Sequence, residues 1–223
     1  MRFLQSSEAS LSTQRSASAL SLLLFTLLAT SLFAQEFSAD FVSTRTKGVG
    51  TSGKVYISNG KMRYESARPS ASGSQAVMIM DFAQHTTSML MPDRHMFISY
   101  PQGRGMTIPI WRLTDVNNAC AEWEVFAAQM KTESKLKSCQ KTGSDTVDGR
   151  AAVKYVITSA EGKVSTVWVD PKLHTMLKHE SPDGTVELKN IHEGAQPADL
   201  FEIPSGYKKL DMGSMGPSGP APQ

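Results

Sequence analysis

The residues of this chain best suited to metal chemistry are a group of methionines and two histidines that lie close together in the sequence. His85 and His95 stand within this group. Its methionines are Met78, Met80, Met89, Met91, Met96 and Met106. Because thioether and imidazole ligands suit Cu(I), a copper site is one hypothesis for this stretch. None of the five histidines forms HExxH or another short metal spacing, so we predict no resident metal.

Motifs for catalysis are missing from the sequence. It contains neither the GxSxG nucleophile motif nor a P-loop. Asp81, Asp93 and Asp170 stand at predicted turns or strand ends, where an Asp side chain normally shapes the turn. We therefore predict a protein that is not an enzyme and has no cofactor.

Residues 1–34 match the pattern of a secretory signal. Arg2 and Arg15 supply positive charge, an apolar run extends from Ala17 to Leu28, and a short Ser-Leu-Phe-Ala stretch ends at Ala34. The apolar run is shorter than the ~20 residues that a membrane span needs. We predict cleavage near Ala34 and a periplasmic or secreted mature protein, with an uncleaved signal anchor as the alternative.

The charge balance is close to neutral, with 23 basic and 21 acidic residues and no basic patch. This argues against nucleic acid or an anionic membrane as a partner. Residues 35–210 are long enough for one domain with its own core, and we expect a monomer. Residues 211–223 are rich in Gly, Pro and Ser without periodicity, which predicts a disordered tail.

Cys120 and Cys139 are the two cysteines of the chain. They do not form a CxxC motif, so the sequence offers no redox pair or zinc knuckle. Predicted export and an even number of cysteines favour a disulfide between them, with two free thiols as the alternative.

The clearest secondary-structure signal is a β-hairpin that turns at Asn59-Gly60. Both residues tolerate the positive φ of a type I′ turn, which pairs Ile57 with Met62 and Val55 with Tyr64. Apolar side chains then meet on one face, as a half-buried hairpin requires.

Two further hairpins are predicted towards the C-terminus. A four-residue loop at 159–162 pairs Val153 with Trp168. A turn at 181–184 places Lys178 opposite Glu187, because the alternative register would oppose like charges. With strands at 37–46 and within 75–100, we count at least eight strands in an antiparallel meander.

Residues 118–131 show the one convincing helical pattern. Apolar residues recur there at steps of three and four, which predicts one stripe of a helix capped at its start by Asn117 or Asn118. Glu122 suits the positive end of that helix. The stripe consists of Ala119, Trp123, Phe126, Ala127 and Met130.

The strands at 77–80, 89–91 and 96–98 are apolar on both faces. An antiparallel sheet with two apolar faces must be covered on both, and one helix covers too little. We therefore predict a curled sheet with an apolar pocket beneath the helix, or a core that fills itself. Met is frequent both in cores and at surfaces that accept varied apolar partners, so the methionines fit either alternative.

The residues predicted to line this pocket come from the apolar strand faces and the helix. They are Phe41, Val55, Ile57, Met62, Tyr64, Met78, Met80, Met89, Met91, Trp123, Phe126, Met130 and Trp168.

A resemblance to a known family rests on five stretches in a fixed order. They are Ser52–Tyr56, Met62–Tyr64, Gly149-Arg150, Val167–Asp170 and Leu200–Tyr207. In their order and spacing, which span nearly all of residues 36–210, the chain resembles the periplasmic lipoprotein-carrier-like superfamily of LolA/LppX type, in a bacterial branch of unknown function.

The resemblance implies a strongly curved, unclosed antiparallel barrel with helices over its concave side. With the single helical pattern of the sequence, we expect a mainly β fold with one main helix over the concave face. The resemblance also implies a cavity that holds acyl chains. We therefore expect a non-enzymatic periplasmic protein that binds a lipid or similar hydrophobic molecule, with a transient envelope protein as a further partner. The alternatives are an envelope structural or interaction module without a ligand, and Cu(I) binding.

Overall fold

The structure, a computed structural model, describes residues 36–69, 75–101, 113–129 and 136–210. The predicted signal segment, the predicted tail, Met106 and Met130 lie outside these residues. The helix and strands are β1 Phe37–Arg45, β2 Thr51–Ser58, β3 Lys61–Pro69, β4 Gln75–Asp81, β5 Thr86–Met91, β6 Met96–Pro101, α1 Ala119–Gln129, β7 Leu136–Val147, β8 Arg150–Ser159, β9 Val164–Asp170, β10 Thr175–Ser181, β11 Gly184–Glu193 and β12 Lys208–Lys209.

All twelve strands of the described residues belong to one sheet, which is curved and open as predicted. Strands β1–β6 form one antiparallel meander and β7–β11 form another, and the pairing of β1 with β11 joins the two. The strand order ends at β12 and at β7, so the sheet does not close into a barrel. One pairing departs from the predicted pattern, because the short β12 runs parallel to β6.

The hairpin at Asn59-Gly60 has the predicted geometry. Both turn residues have positive φ, 48° and 73°. The register pairs Ile57 with Met62 and Val55 with Tyr64, as expected. Val55, Met62 and Tyr64 are all buried, so the local turn chemistry and the hydrophobic pattern agree.

The predicted register of the second hairpin is wrong by one residue. A hydrogen bond from Ser159 N to Lys163 O closes its loop around residues 160–162, and Val153 pairs with Val169 instead of Trp168. A one-residue slip moves a side chain to the opposite face of a sheet. Trp168 therefore lies opposite Lys154, on the face away from Val153.

The third hairpin has the predicted register. Ser181 pairs with Gly184 across the turn, and Lys178 lies opposite Glu187. Gly184 has a φ of 145°, and a Cβ on it would lie 2.1 Å from Thr44 O on β1. A side chain at this position would therefore separate β1 from β11 as well as strain the turn.

The start of α1 is held differently from the prediction. Asn117 and Asn118 lie in a 3-10 turn, Val116–Asn118, whose cap is Asp115. The Asp115 carboxylate accepts a hydrogen bond from Asn117 N. Glu122, which was expected to favour this end of the helix, accepts hydrogen bonds from the backbone N–H groups of Thr114 and Asp115. The helix is thereby tied to the chain that precedes it.

The predicted disulfide is present between Cys120 at the start of α1 and Cys139 on β7. Trp123 anchors the next turn of the helix, because its ring packs edge-on against Tyr155 with 5.3 Å between ring centroids. The Tyr155 hydroxyl donates to Val116 O. These contacts fix α1 against β7 and β8 on one face of the sheet, which we call the concave face.

Removal of the disulfide is expected to lower the free energy of unfolding by about 3 kcal/mol. The bond closes a loop with a sequence separation of 19, and its loss restores chain entropy to the unfolded state. Urea unfolding of the Cys120→Ser/Cys139→Ser variant measures the change. Wild-type protein unfolded with and without a reductant serves as the control, and an unchanged unfolding midpoint in both comparisons would contradict the expectation.

Two hydrophobic layers explain why Val77–Met80 is apolar on both faces, since all four residues are buried. Met78 and Met80 belong to the core of the concave face. Val77 and Ile79 face the other way and pack with Leu90, Phe97 and Tyr207.

The C-terminal segment supplies the cover that the sequence pattern did not reveal. Tyr207 contributes to the second layer, and the Arg63 guanidinium on β3 donates to Leu200 O at 2.9 Å. Lys208 N also donates to His95 O at 2.8 Å. The second apolar face therefore does not require a guest molecule, which corrects one premise of the predicted pocket.

Candidate ligand cavity

A cavity of about 730 Å³ lies at one end of the sheet, where β1 and β2 meet the β10–β11 hairpin. Phe41, Ser43 and Arg45 line it from alternate positions of β1 and thus share one face. That face is the concave one, on which Phe37 is buried in the same core cluster as Phe41. The volume is typical of a site for one small molecule, roughly 300–1,000 Å³.

The floor of the cavity is aromatic and aliphatic. The rings of Phe41 and Tyr64 meet edge-on with 5.5 Å between centroids, and Val186 on β11 completes the floor. The Tyr64 ring lies over Gly53, where a Cβ would approach the ring to 2.6 Å. Its hydroxyl donates to Ser52 O at 3.2 Å. Because Gly53 has no side chain, the Tyr64 ring has room to lie over β2.

The mouth of the cavity is polar and is held by contacts between two turns. Thr46 N donates to Asp183 O at 3.0 Å, and the Thr46 hydroxyl donates to Pro182 O at 2.8 Å. Arg45 and Lys47 line the same mouth and are exposed. The β1–β2 connection and the β10–β11 turn thus form one rim.

His179 is a half-buried side chain in the wall, on β10 opposite Val186. Its other cross-strand neighbour is Val167 on β9. Burial lowers the pKa of His179 below its usual value of 6.5. The imidazole is therefore kept neutral in the folded protein at a pH where an exposed histidine would begin to be protonated.

Acidification is expected to destabilise the protein through His179. Because the folded-state pKa lies below the unfolded-state value, protonation favours the unfolded chain, and stability falls as the pH drops below about 6.5. His179→Gln should remove this part of the pH dependence, measured as the unfolding midpoint between pH 7.5 and 5.5. The exposed His192 provides the control variant His192→Gln, which should retain the wild-type slope. Equal slopes for all three proteins would contradict the assignment.

The structure brings only part of the predicted lining to this cavity. Phe41 and Tyr64 line it, whereas Val55, Met62 and the pair Met78 and Met80 are buried in the core beside it. Ile57, which is half-buried, packs against the same core. Met89 and Met91 are half-buried on β5, three strands away from β2 in the sheet.

The remaining predicted residues lie elsewhere. Trp123 packs against Tyr155 beneath α1, where core side chains fill the space in the described part of the chain. Trp168 belongs to a cluster with Leu177 and Val147 on the face away from α1, as a result of the register shift described above. The side chain of Phe126 and all of Met130 lie outside the described residues.

Several lining residues were missed by sequence reasoning, notably Arg45, Lys47, His179 and Val186. The sequence pattern marks these residues only weakly as cavity lining, because each stands within or beside a predicted turn or strand end. They come together only through the pairing of β1 with β11, which places Ser43 opposite Val186.

The two histidines of the copper hypothesis, His85 and His95, do not lie close together. His85 lies in the turn before β5, and His95 lies after the 3-10 turn that follows β5, so six strand residues separate them. At about 3.3 Å per residue, the strand places the two histidines at opposite ends of β5, about 20 Å apart along the backbone, so they do not share one ion. The His95 ring instead contacts Tyr207, with 5.6 Å between centroids.

The described residues contain no group of three or more His, Cys, Asp or Glu side chains that could hold a metal ion. In the same part of the chain, no helix combines the length and apolar character needed to cross a membrane.

In the described part of the chain, fold and cavity together define a class of protein, an open curved β-sheet with one helix and a small-molecule-sized pocket on its concave face. Neither a protein-family model nor a curated protein sequence matches the chain. Among solved structures, the chain is similar to an uncharacterized conserved protein from Thermus thermophilus. The identity is 11%, the TM-score is 0.51, and the match covers 86% of this chain and 98% of that chain. At this identity the similarity shows a shared fold.

The chain is also similar to a LolA superfamily protein from Nitrosomonas europaea, with 9% identity, a TM-score of 0.34 and coverage of 75% of this chain and 90% of that chain. A further similar structure is the lipoprotein LppX from Mycobacterium tuberculosis, with 12% identity, a TM-score of 0.37 and coverage of 73% and 88%. The structures similar to this chain thus include proteins of the LolA/LppX type.

Proposed function

We propose that the protein is a non-enzymatic binding protein of the bacterial periplasm that holds an acyl-chain or lipid-like ligand in the cavity at the ends of β1 and β11. The observation that carries this proposal is the apolar floor of Phe41, Tyr64 and Val186 inside a cavity of about 730 Å³. When an apolar ligand displaces water from apolar surface at the bottom of a concave site, the change in free energy favours binding.

The site differs from the pocket predicted beneath the helix. Trp123 and Tyr155 fill the space under α1, and Met78 and Met80 are packed in the core. The ligand site is therefore assigned to the other half of the concave face. A carrier passes its ligand to another envelope component, so a transient protein partner belongs to the same proposal.

The disulfide supports the periplasmic location. Structural disulfides persist in oxidising compartments and are rare in the cytosol. The bond between Cys120 and Cys139 therefore agrees with a secretory signal at residues 1–34. Mass spectrometry of the protein recovered from a periplasmic extract tests this location. A mature N-terminus near Ala34 supports it, and an intact N-terminus in the cytoplasmic fraction contradicts it.

Organic-solvent extraction of the purified protein, followed by mass spectrometry, tests for a ligand retained from the cell. Titration with a fluorescent fatty-acid probe tests binding directly. We expect a co-purified lipid, saturable probe binding, or both. A folded protein that yields neither would contradict ligand binding and favour an envelope module with a self-filled core.

A further inference from the structure

Two cations stand at the mouth of the cavity without an acidic partner among the residues that the structure describes. Arg45 is the last residue of β1, and Lys47 follows it in the connection to β2. Neither forms an ion pair with any residue in the described ranges. Asp183 is the acidic residue among the described lining, and its carboxylate is paired with Lys163 at 3.0 Å. The mouth therefore carries uncompensated positive charge.

This charge lies beside the apolar floor described above. Arg45 shares the concave face of β1 with Phe41, four residues earlier, and Ser43 stands between them. The line from floor to mouth thus runs from an aromatic ring through a hydroxyl to a guanidinium. Strand residues rise about 3.3 Å each, so the guanidinium end of this line lies on the order of 13 Å from its aromatic end.

We propose that the cavity binds a single-chain amphiphile with an anionic head group, its chain against Phe41, Tyr64 and Val186 and its head group at Arg45 and Lys47. This inference rests on the proposed function and names the class of ligand. An apolar ligand without a head group would leave Arg45 and Lys47 without an anionic partner. A small anion would leave the apolar floor exposed to water.

The size of the cavity fits a ligand with one chain. A volume of about 730 Å³ lies within the range of sites for one small molecule and does not suggest several acyl chains bound side by side. A carboxylate and a phosphate share the chemistry that the mouth recognises, because guanidinium and ammonium groups bind both. The two kinds of head group are therefore distinguished by experiment.

The test compares three ligands of equal chain length by displacement of a fluorescent fatty-acid probe: palmitate, monopalmitoyl lysophosphatidate and hexadecanol. We expect one or both anions to bind about tenfold tighter than the neutral alcohol at low salt. The difference should shrink at high salt, because exposed charges are screened. The tighter anion identifies the head group as carboxylate or phosphate.

The variant Arg45→Gln/Lys47→Gln should bind all three ligands with similar affinity, close to that of hexadecanol on the wild-type protein. The matched control is Lys208→Gln/Lys209→Gln, which removes the same charge from exposed residues on β12 at the far edge of the sheet. This control should retain the preference for anions.

The outcomes separate the two proposals. Equal binding of anions and hexadecanol to the wild-type protein, or an anion preference that survives in Arg45→Gln/Lys47→Gln, would overturn the head-group assignment and leave hydrophobic ligand binding intact. Failure of every ligand and of the probe itself to bind folded protein would overturn the proposed function. Loss of the preference in both double variants would show a general charge effect and would also overturn the assignment.

Discussion

The substitution Ser43→Trp is expected to weaken binding of a fluorescent fatty-acid probe at least tenfold, which corresponds to about 1.4 kcal/mol of binding free energy. Ser43 lies on the concave side of β1, between Val186 on β11 and Thr51 on β2, and all three line the cavity. An indole at this position occupies space above the apolar floor, and its large ring is compatible with a β-strand.

The matched control for this prediction is Ser52→Trp. Ser52 stands on the neighbouring strand β2, pairs with Val42 and faces the opposite side of the sheet. Both variants introduce the same side chain at a half-buried serine, so they share any general cost of a strand substitution. We expect probe affinity to fall only for Ser43→Trp, as measured by titration at matched folded fraction. Equal affinities for the two variants would show that the probe does not bind in this cavity.

The substitution Asp170→Ala is expected to lower the free energy of unfolding by about 3 kcal/mol, a large fraction of the roughly 5–15 kcal/mol of a typical domain. Asp170 is buried, and one of its carboxylate oxygens accepts hydrogen bonds from the backbone N–H groups of Lys172 and Leu173 at 2.7 and 3.0 Å. The other accepts from Arg150 Nε at 2.6 Å. Alanine leaves these three donors without that acceptor.

Arg150 is only partly deprived of acceptors in this variant, because its Nη2 also donates to Glu193 at 2.8 Å. For this reason we expect a loss near the lower end of the range for broken buried ion pairs. Urea unfolding should show a lower midpoint with an unchanged dependence on denaturant concentration.

Asp183→Ala is the control for the Asp170 prediction. Asp183 also stands in a hairpin turn and pairs with Lys163, but both side chains are exposed. Exposed ion pairs contribute about 0–1 kcal/mol, so this variant should unfold close to the wild-type midpoint. Similar losses for the two variants would contradict the role assigned to the buried carboxylate.

The position of Asp170 also shows which parts of the structure local chemistry explains. An Asp at the end of a predicted strand was expected to shape the turn, and its carboxylate does cap the N–H groups of the next residues. The ion pair with Arg150 could not be inferred in the same way. Arg150 lies on β8, and the contact depends on how β8 and β9 align.

The hairpin at Asn59-Gly60, whose register was predicted correctly, and the β8–β9 hairpin, whose register was not, show the same limit of local sequence patterns. At Asn59-Gly60 the turn type leaves one possible register, and the prediction is confirmed. At residues 160–162 the loop has one residue fewer than predicted, because Ser159 N bonds to Lys163 O across it. The sequence there allows loops of different length, and the difference moved Trp168 from the predicted pocket to the other face.

The sequence by itself determined strands β1–β6 and β8–β11, the position of the helix and the pairing of Cys120 with Cys139. These features depend on neighbouring residues or on a single possible partner, so local patterns suffice. Phe37, Ala39 and Phe41 alternate along β1 and are all buried.

Only the tertiary structure decided where the cavity lies and what covers the second apolar face. The floor and mouth of the cavity combine residues from β1 and β11, which are far apart in the chain and meet through one strand pairing. The cover over Val77 and Ile79 comes from the C-terminal segment around Tyr207. Contacts between distant segments depend on the packing of the whole sheet, and no periodicity within either segment encodes its partner.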